Sequence, residues 1–260
     1  DRNTETSASE NYTGYPKLAV GDGSVLDYLF TDDADKAYTG LNHLFRLDNE
    51  GYYYYNSADN YAYFNPKNDN KNFTVYADSV AKGTADNLGD FMPFDDKDEN
   101  IKNDKGNFYF SMNVGFNFTQ PTDGEINNKP MVFSFSGDDD VWVFIDGKLV
   151  LDIGGIHDAI SGTIDFSTGK AVVQTGTKTG NAQYDGGLNY ALATDGDMIQ
   201  NTVVDFKDIF GQSNLNENGT FEAGTTHRLE FFYLERGAGE SNCSLRFNLQ
   251  PQASQTITVA

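Results

Sequence analysis

Apolar residues recur at every second position from Phe108 to Phe118. Phe108, Phe110, Met112, Val114, Phe116 and Phe118 alternate with Tyr109, Ser111, Asn113, Gly115 and Asn117. Successive side chains of an extended backbone point to opposite faces, so the spacing predicts a long strand with one buried face. Met131, Phe133 and Phe135 repeat the pattern against Ser134 and Ser136. Val141–Ile145 is apolar throughout, which predicts a central strand covered on both faces. The Asp146-Gly147 pair is a strong hairpin signal, with a return strand over Lys148–Ile153. Leu229, Phe231 and Tyr233, then Leu245, Phe247 and Leu249, give two further alternating runs. From Leu44 to Tyr76 the chain is dense in Tyr, Phe and Asn, including four tyrosines at 52–55; this reads as short strands and polar turns.

Helical patterns are few. Val25–Phe30, capped by Ser24, and Val203–Phe210 each predict one short helix. Residues 95–106 read as a solvated charged loop. Residues 160–222, rich in Gly, Asn, Thr and Asp, read as a long interruption between strands. There is no fixed-period repeat and no clean linker. The expected fold class is all-β: one antiparallel β-sandwich, jelly-roll-like, with long loop insertions and one or two short helices. It spans residues 17–250, after a flexible lead-in at 1–16 and before a tail or linker at 251–260. Abundant aromatics (20 Phe, 15 Tyr) and 26 Gly agree with a β-rich chain. The polar start of the sequence fits a piece of a longer precursor.

Charge narrows the partners. The 260 residues carry 39 acidic against 18 basic side chains, a formal net charge of −21. Nucleic acid needs a basic surface, so it is a poor partner. Anionic membranes are disfavoured for the same reason, and no apolar run reaches spanning length. The single cysteine, Cys243, rules out an intrachain disulfide; it opens an apolar run and reads as a buried hydrophobe.

The candidate chemistry lies at Asp138, Asp139 and Asp140, directly ahead of the most apolar strand. Adjacent like charges repel and lose hydration between buried strands unless a cation sits among them. A hard ion with oxygen ligands compensates this, and calcium is the first candidate.

Residues 137–159 (Gly-Asp-Asp-Asp-Val-Trp-Val-Phe-Ile-Asp-Gly-Lys-Leu-Val-Leu-Asp-Ile-Gly-Gly-Ile-His-Asp-Ala) resemble the signature of the fibro-slime domain, of the anthrax-protective-antigen-like β-sandwich superfamily. The likeness continues at Ser161–Phe166, His227–Arg236 and Glu240-Ser-Asn, and covers about residues 90–250. What it implies is a calcium-dependent lectin or adhesin. In lectin relatives two adjacent aspartates, joined by a cis peptide, hold a calcium ion that binds two sugar hydroxyls. Asp138 and Asp139 match that pair. Asp140 stands where many relatives have glycine, and is expected to face solvent or fix the loop. A further ligand is implied from Glu235–Asn242, with Asn242 the best match and Glu240 the second choice.

The resemblance implies a carbohydrate-binding domain of a bacterial cell-surface or secreted protein, with calcium as cofactor and glycans of host, diet or neighbouring cells as partners. The alternative is a structural or spacer domain of an adhesin or pilus in which calcium only rigidifies the fold. An enzyme is not expected: no nucleophile elbow, zinc motif, phosphate loop or dinucleotide fingerprint appears. Protein-ligand or ice binding stays open, because fold does not fix function. Trp142 reads as core and the tyrosine run as structural. His157 is expected to fix a turn, and the acidic pairs at 32–33, 95–96 and 195–197 to be solvated charge.

Overall fold

The computed structural model describes residues 43–65, 72–77, 90–94, 107–138, 140–154, 159–175, 200–236, 241–249 and 252–259, with strand pairs at 7–8, 18–19 and 38–39. In chain order the strands are β1 (Ser7–Ala8), β2 (Leu18–Ala19), β3 (Tyr38–Thr39), β4 (Arg46–Leu47), β5 (Tyr53–Asn56), β6 (Ala62–Tyr63) and β7 (Thr74–Val75). They continue with β8 (Phe110–Thr119), β9 (Glu125–Ile126), β10 (Lys129–Pro130), β11 (Val132–Gly137), β12 (Asp140–Ile145), β13 (Lys148–Ile153) and β14 (Ile160–Asp165). The last are β15 (Lys170–Thr175), β16 (Gln200–Asp205), β17 (Thr226–Glu235), β18 (Cys243–Phe247) and β19 (Gln252–Val259), with one short α-helix among the described residues, α1 (Phe206–Phe210).

Two antiparallel sheets carry the fold. One has seven strands in the order β16-β15-β14-β11-β18-β5-β4, the other six in the order β13-β12-β17-β8-β19-β3. Their inner faces meet through aromatic side chains. Phe133 and Phe135 of the first sheet lie 5.8 and 5.6 Å from Phe231 of the second, and Phe116 stacks on Phe247 at 5.3 Å. Such ring pairs add to the burial of apolar area that drives the packing. The expected all-β sandwich is therefore present.

β12 is buried at all six positions, flanked by β13 and β17. Val141, Val143 and Ile145 join the inter-sheet core, and Trp142, only 1 % exposed, packs on the opposite face. The hairpin turn is as expected: Asp146 and Gly147 both have positive φ (50° and 74°), the conformation a tight two-residue turn needs.

Several expectations change. Within the expected interruption at 160–222, residues 176–199 lie outside the described residues, while residues 160–165, 170–175 and 200–205 build β14, β15 and β16, three strands of the seven-stranded sheet. Their buried face carries Ile160, Gly162 and Ile164, while Ser161, Thr163 and Asp165 face outward, so a polar composition masked a one-sided pattern. The expected helix at Val203–Phe210 divides into the end of β16 and α1, because the Asp205 side chain caps the helix by accepting from the Lys207 amide. The strand expected from Phe108 begins at Phe110, and its second face is also partly covered, with Ser111 2 % exposed. Residues 252–259, expected as a tail, form β19 between β8 and β3. Residues ahead of 90 join the sandwich through β3, β4 and β5, within the expected span of 17–250. The expected Val25–Phe30 helix, the 95–106 loop, His157 and the three acidic pairs lie outside the described residues, as does the lead-in apart from Ser7–Ala8.

Candidate functional site: an acidic crossover at one end of the sandwich

Strand pairing alone brings two crossovers together. β11 pairs with β18 in one sheet and β12 pairs with β17 in the other. The chain therefore passes between sheets twice at the same end, from β11 to β12 and from β17 to β18. Gly137 pairs with Cys243, so the next residues outward, Asp138 and Asn242, meet. Asp140 pairs with Leu234, so Arg236 extends past that pair to meet Asp140.

Asp138 is 5 % exposed and both its carboxylate oxygens face Asn242. One accepts from the Asn242 backbone amide, the other from Asn242 Nδ2 at 3.0 Å. The Asp138 amide in turn donates to the Asn242 carbonyl at 3.2 Å. Gly137 permits this approach: a Cβ there would overlap the Asn242 carbonyl oxygen and the Phe135 ring.

Asp140 does not face solvent. It is fully buried, and the Arg236 guanidinium grips it with two nitrogens, Nε on Oδ2 and Nη2 at 3.2 Å from Oδ1. A planar guanidinium matches a carboxylate in this paired way. The residue fixes the loop, which was the other expectation for it.

Two more buried carboxylates stand nearby. Glu235 is fully buried and accepts from the Tyr233 hydroxyl at 3.0 Å. That hydroxyl also lies 3.1 Å from Ser241 Oγ, which donates to the Phe91 carbonyl at 2.9 Å. Asp90, 4 % exposed, accepts from the Ser241 amide. Neighbouring groups feel these carboxylates. Burial, then Glu235, Cys243 and Asp138, push the Tyr233 phenol well up. Burial and then the Asp138 carboxylate push the Cys243 thiol up, so it stays a protonated, inert hydrophobe as expected.

Of the four residues expected to hold calcium, Asp138 and Asn242 are adjacent. Asp139 and Glu240, and with Asp139 the expected cis peptide, lie outside the described residues. Among the described residues no group of three His, Cys, Asp or Glu side chains could hold a metal ion. What is present fits part of a hard-cation donor set. Asp138 offers carboxylate oxygen in a buried position, and rotation of the Asn242 amide would turn its oxygen to the same side. Asp90, Ser241, Glu235 and Arg236 were not singled out from sequence. Arg236 closes a quoted run, His227–Arg236, but only the β12–β17 register shows what it faces.

The opposite end of β12 holds a different constellation. His227 Nδ1 lies 2.6 Å from Asp146 Oδ2, and His227 Nε2 lies 2.7 Å from Thr225 Oγ1. The order Asp–His–Thr has the outline of a nucleophile relay. Thr225 Oγ1, however, donates to the Glu222 carbonyl at 2.6 Å, and the His227 ring stacks on Phe221 at 3.8 Å. Asp146 also accepts from the Arg228 amide at 2.9 Å. These bonds lock the β12–β13 turn onto the start of β17.

The class defined by fold and site is thus a two-sheet antiparallel β-sandwich with paired acidic crossovers at one end. In sequence the chain is similar to proteins of Dictyostelium discoideum. It is 32% identical to protein psiF over 145 residues (55% of this chain, 14% of psiF) and 32% identical to protein psiP over 170 residues (62% and 20%). It is also 32% identical to protein psiE over 166 residues (64% and 28%). The chain thus spans less than a third of the length of each of these relatives. No family model matches the chain, and no solved structure matches it.

Proposed function

We propose that the chain is a calcium-dependent carbohydrate-binding module of an extracellular adhesin, as the fibro-slime resemblance implies. The observation that carries the reading is the contact of buried Asp138 with half-buried Asn242, close to the buried carboxylates of Asp90, Asp140 and Glu235. A divalent cation beside clustered carboxylates would offset their mutual repulsion. Asp138 and Asn242 would hold it, with Asp139 and Glu240 as further donors from the same two crossovers. Calcium, when bound, supplies open positions for vicinal sugar hydroxyls. The relatives named above come from Dictyostelium, so a bacterial source rests on the resemblance alone.

Calorimetry on a glycan panel tests the reading, with calcium, with chelator, and with Asp138→Asn. Binding in calcium alone is the expected result; equal binding in all three arms sinks the metal bridge. A second reading keeps calcium as a stiffener of a spacer domain. The internal ties between the crossovers favour it, because Asp138 already clamps both loops. In that case calcium raises the melting temperature and no glycan binds. No enzymatic role is proposed, and release of reducing sugar from a polysaccharide panel would overturn that.

A further inference from the structure

Along β18, Asn242, Ser244 and Arg246 fall on one face, since alternate residues of a strand share a face and Cys243, Leu245 and Phe247 are buried in the core. That face is the outer surface of the seven-stranded sheet. Two residues from Asn242, a rise of about 7 Å, it opens into a cavity of about 220 Å³ lined by Asp48, Tyr54, Asn56, Asp59, Ser244 and Arg246.

The lining is pre-organised. Asp48 accepts from the Tyr52 and Glu50 amides at 2.9 and 2.8 Å and from Arg246 at 3.1 Å. Arg246 lies over the Tyr52 ring, 3.6 Å from its centroid, and also reaches Glu50 at 2.8 Å. Asn56 donates to Asp59 at 2.7 Å and accepts from the Ala58 amide at 3.1 Å. Walls fixed in this way lose little freedom when a ligand enters. The hydroxyls of Tyr54 and Ser244 make no hydrogen bond among the described residues.

The chemistry selects the occupant. Two carboxylates, an amide and two hydroxyls offer several acceptors for ligand hydroxyls, and the Tyr54 ring offers an apolar side. Arg246 is shared by Asp48 and Glu50, and Lys129 lies 3.4 Å from Glu50, so Asp48, Glu50 and Asp59 outnumber the two cations and the lip disfavours anionic sugars. The volume is below the roughly 300–1,000 Å³ of drug-sized sites, which suits a single ring.

We infer that this cavity is a second saccharide subsite for a neutral sugar, placed so that an oligosaccharide whose end reaches the Asp138–Asn242 crossover lays its next residues along β18. The inference rests on the glycan-binding reading proposed above. It is tested by calorimetry of the whole chain, with calcium, against cellotriose, mannotriose, xylotriose and trigalacturonate. Wild type, Tyr54→Ala, Asp59→Asn and Asp138→Asn are compared, each with its melting temperature in calcium and in chelator.

At least one neutral trisaccharide is expected to bind wild type, with a tenfold or greater loss in both Tyr54→Ala and Asp59→Asn, while both cavity variants keep the calcium-induced rise in melting temperature. Preference for trigalacturonate overturns the inference, and so does absence of binding by every neutral trisaccharide. Unchanged affinity in the folded cavity variants, with loss only in Asp138→Asn, overturns the subsite and leaves the metal reading standing. Loss only in the cavity variants, indifferent to chelator and to Asp138→Asn, supports the subsite and sinks the metal reading.

Discussion

The two ends of β12 both carry an aspartate tied to β17, and they differ in what surrounds it. At the start, Asp140 is fully buried against Arg236, with Asp138, Glu235 and Asp90 buried around the same crossover. At the end, Asp146 is 42% exposed, and the His227 ring and the Arg228 amide take up its oxygens. An exposed carboxylate with neighbours enough to satisfy it is a turn lock. Four carboxylates buried around one crossover depend on the partners that hold them there. Negative residues occur all along this chain, so burial discriminates where their mere presence does not.

The sharpest way to break the comparison is Arg236→Ala. It removes the guanidinium from a buried carboxylate, and is expected to cost about 3–5 kcal/mol in chemical denaturation. Adding Asp140→Asn should recover most of that loss, because the charge that needed the arginine is gone. A loss of under about 1 kcal/mol for Arg236→Ala would place the Asp140 end in the same class as the Asp146 end.

Gly137→Ala acts on the acidic end through backbone geometry. The added methyl collides with the Asn242 carbonyl, so β11 and β18 must separate where Asp138 meets Asn242. Overpacking of this kind costs about 1–3 kcal/mol. Amide exchange at Asn242 and Cys243 should quicken more than exchange at Phe247 on the same strand.

The Asp146 end should show the smallest effect. Partial burial pushes its carboxyl up, but hydrogen bonds from His227 and the Arg228 amide outweigh this and hold it below the ordinary value. Its stabilisation is complete above the unfolded carboxylate pKa of about 3.9, and is lost as the pH falls through the lower folded value. With so much solvent exposure, Asp146→Asn should cost only about 0.5–1 kcal/mol at neutral pH. The variant's stability should also fall less than wild type's below about pH 4. An equal acid loss in both proteins would remove the Asp146–His227 contact from the account of this end.

Much of the sandwich was legible along the chain. Runs such as Phe110–Phe118 and Leu229–Tyr233 announce strands, because a half-buried extended chain must alternate. Asp146-Gly147 announces its turn, because few residue pairs accept positive φ twice. The strands at 160–175 were less legible. Serine, threonine and glycine fill their outward and close-packed positions, leaving too few apolar residues to stand out.

The sequence by itself determined the strand-forming pattern, the acidic balance and the presence of an aspartate run at a strand entrance. These are local properties, fixed by side-chain chemistry and a period of two. Only the tertiary structure decided which aspartate does what. Asp138, Asp140 and Asp146 share one functional group, and their partners (Asn242, Arg236, His227) lie 81 to 104 positions away in sequence. Pairing of β11 with β18 and of β12 with β17 brings those partners into reach, and strand register is set by the burial of whole faces rather than by the residues at the crossovers.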